Sequence, residues 1–126
     1  MKISLAGDSL EIVFTGAEQV FALRQKITIP KSQITNVSWH DSFTREDFGT
    51  MWRLAGTNIP EVLFAGYFRG QGNNEFLYVD HPKGFLHPEA HNVLVIKTRE
   101  PFPQRRVLLT LDAARAGEIL SWWRAG

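Results

Sequence analysis

Cysteine is absent from these 126 residues. Its absence excludes disulfide scaffolds, thiol nucleophiles and cysteine-based zinc sites. A dominant charge is also missing: 14 basic and 13 acidic side chains leave a net charge of +1. Such a chain has no global field to draw it onto nucleic acid or an anionic membrane. No apolar run approaches the ~20 residues of a membrane span. Near the N-terminus Asp8, Ser9 and Glu11 interrupt every apolar stretch, so no signal peptide is expected and a cytoplasmic location is the expectation. No phosphate-cradling P-loop, G-x-G-x-x-G turn or G-x-S-x-G elbow occurs. What is present is globular in balance, with 44% apolar and 21% charged residues. One domain is expected over residues 1–126.

Period-two alternation dominates the chain. Ile3 and Leu5, then Leu10, Ile12 and Phe14, flank Gly7-Asp8 and predict a β-hairpin. Thr15 with Glu18 three residues on reads as a capping box, so a short helix is expected through Ala22. Strands follow at Lys26–Ile29 and Ile34–His40, separated by the turn Pro30-Lys31-Ser32. Further strands are expected at Val62–Arg69, Glu75–Val79, Asn92–Thr98 and Arg106–Leu111. Residues 41–61 show no clean period and predict a long loop, yet they hold Phe43, Phe48, Met51, Trp52 and Leu54, so packing against the body or a partner is expected. Asp112 is a good N-cap, and Ala113, Ala116, Ile119, Leu120 and Trp123 fall on one side of a terminal amphipathic helix. The fold class is therefore mainly β: two packed antiparallel sheets of about seven to eight strands, with that helix over one end.

This order of elements resembles the bacterial pleckstrin-homology-like domain. The wording of Ile27-Thr28-Ile29-Pro30-Lys31-Ser32-Gln33-Ile34-Thr35-Asn36-Val37 is similar to the strand, Pro-x-Ser, Ile-x-x-Val segment of those domains. Arg53 to Pro60, Ala65-Gly66-Tyr67-Phe68, Glu75-Phe76 and Asn92 to Ile96 carry the likeness along nearly the whole chain. The resemblance implies a barrel of the pleckstrin-homology-like kind and supplies no catalytic residues. Eukaryotic relatives often bind phosphoinositides through basic residues in the first hairpin loop. Here that loop is Ala6-Gly7-Asp8-Ser9, with an acid and no base, which argues against phosphoinositide binding there.

Three groups of residues invite chemistry. His81, His87 and His91 share a loop with Asp80 and Glu89, but their spacing matches no metal motif, so no metal and no cofactor are expected. His40-Asp41 could orient an imidazole, but no particular nucleophile is marked out. Lys97, Arg99, Arg105 and Arg106 bracket one turn and could hold a phosphate or an acidic partner; a solvated turn that protects a sheet edge is the ordinary alternative. Trp122 lies off the helix stripe that Trp123 occupies, so one of the two must be partly exposed or meet something else. Aromatics are not interleaved with bases as single-strand nucleic-acid binding requires.

The expectation is a non-catalytic binding or assembly module, self-associating or docking to a protein. Candidate contact residues are Trp52, Arg53, Trp122, Arg99, Arg105 and Arg106. A small-ligand-binding barrel is the alternative. A hydrolytic or metal-dependent enzyme ranks third.

Overall fold

The computed structural model describes residues 1–22, 25–48, 51–59, 63–70, 73–80, 82 and 89–125; of Val20, Arg45, Met51–Ala55, Thr57–Ile59 and Gly70 it describes the backbone only. Nine strands and three α-helices are found among these residues: β1 (Lys2–Ala6), β2 (Ser9–Val13), α1 (Ala17–Ala22), β3 (Lys26–Pro30), β4 (Ile34–Phe43), α2 (Arg45–Phe48), β5 (Met51–Ile59), β6 (Leu63–Gly70), β7 (Asn73–Asp80), β8 (Ala90–Thr98), β9 (Arg106–Thr110) and α3 (Ala113–Arg124). A 3-10 turn, Lys31–Gln33, joins β3 to β4. No helix among the described residues is long and apolar enough to cross a membrane.

Two sheets form, as the alternation predicts. The smaller is β1-β2-β3; the larger has the order β4-β8-β9-β7-β6-β5. Gly7 takes φ +58° in the β1–β2 turn, which a side chain would disfavour. The expected helix α1 opens with Thr15 N–H donating to Glu18 Oε1 at 3.0 Å, half of a capping box.

Two features depart from the expected layout. The first lies within residues 41–61. In place of a long loop, β4 runs on to Phe43, the single turn of α2 follows, and β5 occupies nine residues as an edge strand. Its alternation is hidden because the register with β6 shifts between Arg53 and Ala55, leaving Leu54 as an extra residue. Gly56 then takes φ +119°, against the backbone of Ala65 and Gly66. The second departure is a parallel junction between β7 and β9, pairing Glu75 with Arg106 through Tyr78 with Leu109; every other described pairing is antiparallel. The larger sheet is therefore mixed. Strand β9 slots between β7 and β8 and is covered on both faces, and Arg106 to Leu109 are all buried. An uninterrupted apolar run such as Val107-Leu108-Leu109 suits a doubly covered strand.

The larger sheet thus carries two cores. On one face Val37, Phe76, Leu94, Ile96, Val107 and Leu109 meet Leu10, Ile12, Phe14, Ile27 and Ile29 of the small sheet, together with Ala116 and Ile119 of α3. On the other, Phe43, Phe48, Phe64, Phe68, Leu77, Val93, Val95 and Leu108 pack together. Asp112 caps α3 by accepting from Arg115 N–H at 2.8 Å. Lys31 Nζ donates to the carbonyl of Trp122 at 2.7 Å, where the helix dipole is negative.

Candidate ligand-binding cleft

Register places a row of polar residues across the second face. Asn36 opposes Lys97, Lys97 opposes Arg106, Arg106 opposes Glu75, and Glu75 opposes Phe68. Opposed residues project from the same side of a sheet. Two residues along β4 comes Ser38, and two further comes His40, on the same side again. Ser38 Oγ and His40 Nε2 are 3.0 Å apart.

Helix α2 stands over this row. Thr44 caps it: its N–H and Oγ1 both donate to Asp47 Oδ2, at 2.9 and 3.0 Å. These bonds, the backbone one first, hold the Asp47 carboxyl below its ordinary range. Phe48 is fully buried and meets Phe43 edge-on, with centroids 4.5 Å apart. Arg106 closes the join. Its Nη1 donates to the carbonyl of Asp47 at 2.7 Å and its Nη2 to that of Phe48 at 3.1 Å, satisfying carbonyls at the helix end. Its Nε donates to Glu75 Oε2.

The result is a cavity of about 430 Å³ between α2 and the sheet, lined by Asn36, Ser38, His40, Phe43, Val95, Lys97 and Arg106 of the sheet and by Glu46 and Asp47 of α2. Glu75 lies buried beneath Arg106, 1% exposed, and its Oε1 has no hydrogen-bond partner among the described residues. Burial pushes its carboxyl above the ordinary range, against the opposing pull of Arg106. A second cavity, about 610 Å³, is lined by Asp8, Ser9, Pro30, Lys31, Ser32 and Trp123.

The basic cluster that the sequence grouped at one turn divides in space. Arg106 turns inward to the cleft floor and is not solvated; Lys97 is exposed at the rim. Arg99 donates through Nε and Nη2 to the carbonyl of Ser32, at 3.0 and 2.5 Å, and Arg105 donates to that of Phe102. Those two therefore fasten loops. Trp122 is half-buried, packs on the first core, donates from Nε1 to the Gly7 carbonyl at 2.9 Å and lies under Lys31 Nζ, 4.7 Å from the ring centroid. Trp123, expected in the core, is also half-buried and lines the second cavity. Trp52 opposes Arg69 and Arg53 opposes Phe68 on β5, but their side chains lie outside the described residues. His81 and His87 lie outside them as well. His91 is exposed, its Nδ1 3.2 Å from the Asp41 carbonyl oxygen. No group of three metal-ligating side chains occurs among the described residues.

Sequence reasoning missed Glu75, Ser38 and the Thr44–Asp47 cap. Glu75 did carry a signal: it stands in phase with Leu77 and Val79, where alternation demands an inward side chain. Compared with protein-family profiles, curated proteins and solved structures, the chain matches none.

Proposed function

We propose that the chain is a non-catalytic binding module that takes a small polar ligand in the cleft between α2 and the β4–β8–β9 face. The carrying observation is the cavity of about 430 Å³ with hydroxyl, amide, imidazole, ammonium and guanidinium groups on its sheet side, resting on a packed apolar base. Association through an exposed apolar surface has less support. Trp122 is engaged within the chain, and among the described residues the one large apolar side chain counted as exposed is Phe21, at 38%. Catalysis has less support too: Ser38 and His40 are paired, but no carboxylate is hydrogen-bonded to His40 among the described residues. The two strand groups and the C-terminal helix support the pleckstrin-homology-like reading as a layout, with the parallel β7–β9 junction as a departure from it.

The test is a titration of isotope-labelled protein with a library of small polar molecules, read by amide shifts, alongside light scattering at two concentrations. Shifts clustered at Ser38, His40, Val95 and Lys97 with a monomeric mass are expected. A defined oligomer whose cleft no small molecule perturbs would return the reading to an assembly module.

A further inference from the structure

Arg106 and Lys97 oppose each other on β9 and β8, so two cations share one end of the cleft, with the amide of Asn36 and the hydroxyl of Ser38 beside them. That arrangement matches a small oxyanion, which takes charge-assisted hydrogen bonds from a guanidinium and an ammonium together. One observation holds the site back. Arg106 is already ion-paired, through Nε, with buried Glu75. Its two Nη atoms are tied independently to the carbonyls of Asp47 and Phe48. The guanidinium therefore stays at the cleft floor whether or not Glu75 is charged.

Resting on the reading of the cleft as a ligand site, we propose that it is an oxyanion site switched on when Glu75 takes up a proton. Glu75 suits that role by position. It is 1% exposed, one oxygen faces Arg106, and the other has no hydrogen-bond partner among the described residues. Burial already favours its neutral form. Once neutral, it leaves Arg106 a fixed cation beside Lys97, without its ion-pair partner. Among the described residues, the other titratable groups lining the cleft are His40 on β4 and Glu46 and Asp47 on α2; Arg53 stands one register position beyond Phe68 on β5. Asp47 opposes an anion, but its carboxylate is bound into the Thr44 cap. Glu46 is exposed.

Sulfate is the probe, because its charge is constant across the range. Its affinity is measured by calorimetry and amide shifts between mildly acidic and mildly alkaline pH. The wild-type chain is expected to gain at least about tenfold in affinity on acidification, the effect of removing one close countercharge. Glu75→Gln is expected to bind at alkaline pH as tightly as the wild type does in acid. His40→Asn is expected to keep most of the pH dependence. Since Arg106→Met alone leaves a buried unpaired acid and can fail to fold, the double variant Glu75→Gln/Arg106→Met is used, and it is expected to bind poorly at every pH. A flat wild-type profile, a Glu75→Gln profile as steep as the wild type, or tight binding by the double variant would each overturn the switch. If other small molecules still shift Ser38 and His40 amides, the cleft reading survives that failure. If nothing shifts them, both fail.

Discussion

Glu75 and Arg106 face each other across the parallel β7–β9 junction, with one carboxylate oxygen bonded to the guanidinium and the other buried without a partner among the described residues. A buried pair of this kind contributes little net stability, yet breaking it from one side is costly. Arg106→Met should therefore destabilise the fold by about 3–5 kcal/mol, because it strands a buried acid. Glu75→Gln/Arg106→Met should recover more than half of that loss. Urea denaturation of the two variants checks it; equal losses would mean that Arg106 acts through the α2 carbonyls and not through Glu75.

The same pair sets a pH dependence. Glu75 has its folded carboxyl raised above the ordinary 4.5, so between that value and its folded value the native state binds more protons than the unfolded chain. Stability contributed by Glu75 is then greatest on the acid side and declines as pH rises through the window. Asp47 works oppositely: its carboxyl is lowered from 3.8, so its contribution is present above that value and is lost in stronger acid. Subtracting the stability–pH profile of Glu75→Gln from that of the wild type should leave a curve falling with pH above 4.5. A rising difference curve would contradict the burial argument.

Trp122 gives a third expectation. Its ring packs on the core, bonds to the Gly7 carbonyl and supports Lys31. Trp122→Ala should cost about 2–3 kcal/mol, below the full cost of a completely buried tryptophan. Light scattering should show the wild-type mass. A variant of unchanged melting temperature and altered mass would restore Trp122 as an interface residue.

Legibility followed the periodicity of particular segments. The β1–β2 hairpin, the Thr15–Glu18 start of α1 and the Asp112 cap of α3 were readable because each is fixed by neighbours in the chain. The cleft was not. Its row joins Asn36, Lys97, Arg106 and Glu75, which only the insertion of β9 between β7 and β8 brings together. Arg105 and Arg106 illustrate the limit: adjacent in sequence, they face opposite sides of a strand beginning, and one fastens a loop while the other floors the cleft.

Strand β5 was hidden for a local reason that a single substitution can test. Leu54 is extra in the register with β6, so apolar and polar positions change sides in mid-strand. Gly56 follows with φ +119°, a conformation that L side chains rarely adopt. A Cβ there would stand 2.1 Å from the Ala65 carbonyl oxygen and 2.9 Å from the Gly66 Cα. Both are backbone atoms of the paired strand, so no side chain can swing aside to relieve the contact. Gly56→Ala should therefore destabilise by about 2–4 kcal/mol, combining backbone strain with overpacking. The loss should appear first as faster amide exchange along β5 and β6, since an edge strand can detach before the centre of the sheet opens. β7 and β9, deeper in the sheet, should keep their protection until global unfolding. If Gly56→Ala keeps wild-type stability and exchange, β5 does not pair with β6 through this glycine in solution, and the chain from Met51 to Ile59 is better described as the loop that its sequence resembles.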